Sequence, residues 1–109
     1  MNVLRMTIGL IGTLALGTAS VRAEEFGSPA KGLEYARAVC AECHAVERPV
    51  AQSPNRDAPS FVTVAETRGM TAMAIRAWLQ SPHPTMPNLL VKTEDRDNLI
   101  AYILGLKSK

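Results

Sequence analysis

Apolar residues recur along this chain at the three-to-four-residue spacing of helices, and no stretch shows the strict alternation of a strand. Ser28-Pro29 opens the first helix, with serine as the cap and proline at the first helical position. Leu33, Ala36, Val39 and Cys40 then share a face to about Val39, and Cys43 joins them if the helix continues. Pro49, Pro54, Asn55, Asp57 and Pro59 make residues 45–59 a loop. Ser60 to Thr67 reads as a short helix with Phe61, Val64 and Ala65 inward and Gly69 ending it. Thr71 caps another, from Ala72 to about Gln80. Ser81 to Pro87 holds three prolines and is excluded from helix. Thr93 is the expected cap of the last helix, Glu94 and Asp95 suit its positive end, and Lys107 and Lys109 its negative end. Leu99, Ile100, Ile103, Leu104 and Leu106 form its inward face. With no internal repeat, the expected class is all-α, helices joined by extended loops, with residues 24–27 a loose tail.

The start of the chain has a different pattern. Met1 to Arg5 is short and basic, and Met6 to Val21 is an uncharged run of sixteen residues rich in Leu, Ile, Ala and Gly. Val21-Arg22-Ala23 follows with a side-chain pattern suited to signal peptidase. Residues 1–23 therefore read as a cleaved secretory signal peptide, with Ala19 as an alternative cleavage site. The apolar run is shorter than the roughly 18–20 residues of a spanning helix, and Gly9, Gly12 and Gly17 weaken it as one. Residues 24–109 form a single domain in an oxidising compartment, the periplasm.

Removing the leader changes the charge. The 109 residues carry 12 lysines and arginines against 10 aspartates and glutamates, but Arg5 and Arg22 lie in the leader, so the remainder is formally neutral. Clustered positive charge for nucleic acid is absent from such a balance. The chain has one tryptophan, two tyrosines and two phenylalanines, a thin aromatic supply for a core. Domains this small often need a staple, metal or cofactor. The two cysteines lie three apart, which excludes a long-range disulfide framework.

Cys40-Ala41-Glu42-Cys43-His44 carries the chemistry. A C-x-x-C-H run is the attachment signal for c-type haem. Two cysteines three apart on a helical turn set their sulfurs on one side, about one turn apart, where each can add to a haem vinyl group. The adjoining histidine is then held over the porphyrin face as an iron ligand. A thioredoxin-like redox pair wants a βαβ setting, which the pattern lacks. A structural zinc site wants four ligands, and only His83 could complete the set, at a poor spacing. A disulfide between residues this close is strained.

These residues, with their surroundings, resemble class I c-type cytochromes, the small soluble single-haem bacterial kind. The resemblance covers nearly all of residues 24–109. Gly32 matches the glycine where first and last helices meet, and Leu99-Ile100-Ala101-Tyr102-Ile103 matches the last-helix pattern that packs on it. Pro59-Ser60-Phe61 resembles the proline-x-apolar segment after the haem motif, and Trp78-Leu79, Pro82 and Met86-Pro87 resemble the ligand loop. Ala36 departs from the pattern, standing where many members carry a larger residue, with Tyr35 beside it. The resemblance implies a cytochrome c fold, about four to five short helices and loops wrapped around one covalent haem. It implies Cys40 and Cys43 as attachment points, His44 and Met86 as iron ligands, and the Pro59 carbonyl as acceptor for the second ring nitrogen of His44.

Met86 lies 42 residues after His44 in a proline-braced loop, which lowers the entropy of holding a weak but soft thioether on a metal. His83, in the same loop, is the serious rival, with Met70 behind it. Met73 falls inside a helical pattern and reads as core filler. Trp78 either donates to a haem propionate or packs, and Tyr102 is a lesser candidate for the same role.

The expected function is that of a periplasmic electron carrier and not of an enzyme. Histidine and methionine fill both axial positions and raise the potential. Partners are redox proteins, met by small transient contacts, with no nucleic acid, peripheral or no membrane contact, and a monomer as the default state. Two alternatives stand beside it: a haem subunit of a larger redox enzyme, and a haem sensor or catalyst with an open or His-ligated sixth position, where His83 acts as a distal acid or base.

Overall fold

A computed structural model describes residues 27–50, 52–86 and 90–109. The leader at residues 1–23, Phe26 and Pro87 lie outside these. The described residues are mostly helical and contain no strand. No helix among them is long and apolar enough to cross a membrane.

Helix α1 runs Pro29–Tyr35, and the Ser28 hydroxyl accepts from the Lys31 N–H at its start. It passes without a break into a wider π turn, Ala36–Cys40, closed by the Ala41 N–H on the Ala36 carbonyl at 2.9 Å. Helix α2 is Phe61–Glu66, with Ser60 as cap, and it stops before Thr67 rather than at Gly69. Helix α3, Ala72–Gln80, is capped by the Thr71 hydroxyl on the Ala74 N–H at 3.1 Å. Helix α4, Thr93–Gly105, starts one residue earlier than its expected cap allows. Lys92 is the boundary residue and Thr93 makes no capping bond, because Lys92 already holds the extended backbone that a cap requires. Lys107, just past the end of α4, donates its ammonium to the Met70 carbonyl, 3.3 Å away.

The frame is α1 packed against α4, with α2 and α3 also against α4. Gly32 makes the main contact possible: a Cβ built there would stand 2.1 Å from the Asn98 carbonyl oxygen and 2.7 Å from the Tyr102 Cβ. Residue 27 is not a loose tail. A Cβ on Gly27 would meet the Asp97 carbonyl oxygen at 2.2 Å, and the Ser28 N–H donates to the buried Asn98 side chain at 2.7 Å. The entry to α1 is thus tied to the middle of α4. Lys31–Glu94 at 3.6 Å and Arg76–Asp97 at 2.7 Å add ion pairs from α1 and α3 to α4. Lys31–Glu94 is exposed and contributes about 0–1 kcal/mol, whereas Arg76–Asp97 is partly buried.

Ala36, Val46, Phe61, Ala65, Ile75, Leu99, Ile100 and Ile103 form the core, with Tyr35, Val64, Met70, Leu79 and Tyr102 partly buried against it. Tyr35 therefore packs beside the small Ala36. Met73 corrects the sequence reading. It is 79% exposed, because α3 turns only Ile75 fully inward.

Candidate functional site

The π turn delivers the chain into the C-x-x-C-H run. The Cys43 and His44 N–H groups both reach the Cys40 carbonyl, at 3.2 and 2.9 Å, so the motif closes as one tight turn. An inserted fifth residue in the helical ring rotates everything after it, and such bulges are frequent at functional sites. Cys40, the last residue of the π turn, packs partly against the core. Both cysteines are free thiols and half-buried. Burial pushes the Cys40 thiol up to about 11. A redox-active dithiol is activated by a lowered value, and Cys40 lacks that activation. Among the described residues no three His, Cys, Asp or Glu side chains gather into a metal-binding group, so Cys40, Cys43, His44 and His83 do not assemble a zinc site.

His44 is fixed by one short bond. Its Nδ1 lies 2.6 Å from the Pro59 carbonyl oxygen, and since a carbonyl only accepts, Nδ1 carries the proton. The neutral ring then has a bare Nε2, the form that binds metals. The Phe61 ring lies 5.4 Å from the imidazole, tilted by 48°. The Phe61 N–H donates to the Ala45 carbonyl at 2.9 Å, and the Ala45 N–H to the Ser53 hydroxyl at 3.0 Å. The start of α2 is thereby fastened to the residue after the motif.

Further bonds hold the same loop. Arg37 forks onto Glu47, with Nε to Oε2 at 3.0 Å and Nη2 to Oε1 at 2.6 Å, closing a clasp across the motif. That hydrogen bond holds the Glu47 carboxyl below the usual range. Tyr102 donates its hydroxyl to the Val46 carbonyl at 2.6 Å, so its polar handle is taken by backbone rather than free for a propionate. Arg48 reaches Glu66 and the Leu106 carbonyl at the end of α4. Sequence reasoning missed the clasp, although opposite charges on either side of the motif were the signal for it.

The second group lies in the proline-rich loop. His83 Nδ1 lies 2.9 Å from the Ser81 carbonyl, and its Nε2 lies 2.9 Å from the Met86 sulfur. The Trp78 ring meets the His83 ring edge-on with centroids 4.8 Å apart. Thr85, between His83 and Met86, holds a left-handed φ of 72°, unusual for a β-branched residue. Trp78 is 57% exposed; its carbonyl accepts from the Ser81 N–H at 3.4 Å, and its indole N–H meets no hydrogen-bond acceptor among the described residues. Met70 packs partly into the core, away from a ligand's role.

The structure thus brings Cys40, Cys43, His44 and Pro59 together, and separately Trp78, His83 and Met86. These residues fit a c-type haem by their donor set: two thiols one turn apart, an imidazole with a bare Nε2, and a thioether. Apolar surface lies open beside both groups, at Val39 next to Cys40 and at Trp78 next to His83. A flat apolar ring would cover it. Set against family models, curated proteins and solved structures, the chain matches none, and the reading of the site stands on its own residues.

Proposed function

We propose that this protein is a periplasmic single-haem electron carrier with a cytochrome c fold. The observation that carries the reading is His44, which follows Cys40-x-x-Cys43 directly and donates Nδ1–H to the Pro59 carbonyl at 2.6 Å. That bond leaves Nε2 bare and the ring unable to rotate. It is the arrangement a histidine needs to hold iron.

The bound haem would supply reversible one-electron chemistry between ferric and ferrous iron. Cys40 and Cys43 would hold it by thioether bonds, His44 and Met86 by the two axial positions. The Arg37–Glu47 clasp and the Tyr102–Val46 bond brace the loop that carries His44. Little rearrangement is what a carrier requires. Trp78 and Val39, exposed beside the donors, would exclude water from the faces of a haem held there. No separate acid, base or nucleophile is called for, so the protein is read as a carrier and not an enzyme.

Partners are redox proteins docking transiently, with the carrier a monomer. A formally neutral domain without its leader argues for docking through an apolar patch, with electron transfer only weakly dependent on salt.

The test is the visible spectrum of the purified protein, ferric and ferrous, beside Met86→Ala. Covalent haem and a weak far-red ferric iron–thioether band, lost in the variant, support the reading. No covalent haem refutes it.

A further inference from the structure

Met70, Met73 and Met86 lie among the described residues, and their sulfurs have different surroundings. Met70 packs partly into the core, with its N–H on the Thr67 carbonyl at 3.0 Å and its own carbonyl taken by Lys107. The half-buried Met86 sulfur accepts from Nε2 of His83 at 2.9 Å, which engages one of its lone pairs. Met73 is 79% exposed and stands outside the core, so its sulfur is open to water.

That difference decides which of them can react. Oxidation of a thioether by a peroxide starts when a sulfur lone pair attacks one peroxide oxygen, and water must reach the departing oxygen to supply its proton. The product, a sulfoxide, is polar, and a core does not hold it without a partner. Met73 occupies a place that does hold it. It is the second residue of α3, where the first N–H groups have no carbonyl partner inside the helix. A new oxygen acceptor suits that positive end, and solvent takes up the rest of its polarity.

We propose that Met73 is a peroxide-reactive modification site, converted to its sulfoxide while the fold and the donor groups stay as they are. The substrate is a small hydroperoxide, of which hydrogen peroxide is the simplest. The sulfur–oxygen bond forms as the oxygen–oxygen bond breaks. The sulfur loses two electrons, the peroxide gains them, and the second oxygen leaves as water. Ala72 and Ala77 are exposed on the same helix, so the reaction sets a polar group into an apolar stretch of surface. Methionine sulfoxide is open to enzymatic reduction, which makes the change reversible. The order of reaction does not turn on haem: packing protects Met70 and the His83 hydrogen bond protects Met86 within the polypeptide itself.

The test treats the purified protein with a stepwise series of hydrogen peroxide and locates the added oxygen by peptide mass. Trypsin releases residues 69–76, with Met70 and Met73, and residues 77–92, with Met86. Fragmentation of the first peptide separates its two methionines. Met73 sulfoxide is expected first, with Met70 and Met86 several-fold slower and the melting temperature unchanged at that stage. Met73→Leu is expected to remove the first phase of oxygen uptake. Met73→Gln, a polar stand-in for the sulfoxide, is expected to melt with wild type, whereas Met70→Gln loses several degrees. Should Met70→Gln not fold, the order of oxidation in wild type decides. Equal rates at the three sulfurs, or a melting temperature that falls in step with Met73 oxidation, overturn the proposal. Chloramine-T, which oxidises thioethers without a haem, is expected to give the same order; an order seen with peroxide alone belongs to haem chemistry and overturns it too. A protein whose mass shows no covalent haem sinks the carrier reading instead, and Met73 is still expected to react first.

Discussion

Replacing Gly32 by alanine tests the helix contact on which the site is built. The new methyl would lie 2.1 Å from the Asn98 carbonyl oxygen, and ordinary contact begins near 3.4 Å, so α4 must recede by more than 1 Å. The obstacle is backbone, which cannot rotate aside. Asn98 also holds the Ser28 N–H, and Leu99, Ile100 and Ile103 on the same helix fill the core. Overpacking of this kind costs about 1–3 kcal/mol, and disturbing the Asn98 bond adds about 1. Alanine returns up to about 1 through its better helix propensity. The expected net loss is about 1–4 kcal/mol, a fall in melting temperature of roughly 4 °C or more in a domain this small. Urea unfolding of the haem-bearing protein, followed by far-UV circular dichroism, measures it. Gly105→Ala is the control, since a Cβ there meets nothing within 4 Å. It should be neutral or stabilising by up to about 1 kcal/mol. A Gly32→Ala variant within ~0.5 kcal/mol of wild type would show that the helices do not meet as described.

Asn98→Ala leaves the part-buried Ser28 N–H without its acceptor and should cost about 1–2 kcal/mol in the same urea assay. Thr71→Ala removes a capping bond and should cost about 1 kcal/mol, whereas Thr93→Ala, at a position without one, should cost under ~0.5; equal losses would contradict the boundary at Lys92. Hydrogen bonds from Ser108, side chain and backbone, and then Arg48, hold the Glu66 carboxyl below its ordinary value of 4.5. Its contribution is thus present above pH 4.5 and lost as pH falls through the lowered folded value, so the melting temperatures of wild type and Glu66→Gln should converge in acid. Trp78 is the one tryptophan, and in the haem-bearing protein its emission should rise several-fold on unfolding, as the chain carries it away from the porphyrin. Equal emission from both states would place it away from the haem.

The helix starts at Ser28, Ser60 and Thr71 were legible because a hydroxyl followed by a helix-forming run has a local physical meaning. Thr93 had the same appearance, but Lys92 took the extended backbone and left the threonine inside the first turn. The π turn was illegible, since the apolar spacing from Leu33 to Cys40 reads as α-helix and the wider register shows only in the hydrogen bond from the Ala41 N–H to the Ala36 carbonyl. Met73 looked like core because it falls inside a helical pattern, but Ile75 takes the buried place. Which side of a short helix faces inward is settled by tertiary packing on α4, not by spacing. At the candidate site, the chemistry of Cys40, Cys43 and His44 was local and readable. The Ser81–His83–Met86 chain was not, because it depends on a left-handed Thr85 that no propensity favours.

The core and the candidate site bear on each other. Of the nine buried apolar residues, three are alanines, and Leu99 is the one large side chain below 2% exposure among the described residues. A buried Leu or Ile contributes about 1.5–3 kcal/mol, an alanine far less, so this inventory is slender against the entropy of ordering such a chain. Larger apolar side chains are spent elsewhere: Trp78, Val39, Val50, Met73 and Leu90 are exposed. Two of them flank the donor groups. A fold with alanines inside and a tryptophan outside is poorly explained as a self-sufficient helical domain. It is well explained if an apolar body of porphyrin size lies against Val39 and Trp78 and turns that surface into core. On this account the C-x-x-C-H run is as much a structural element as Gly32 is, and its loss would weaken the fold as well as remove the proposed attachment site.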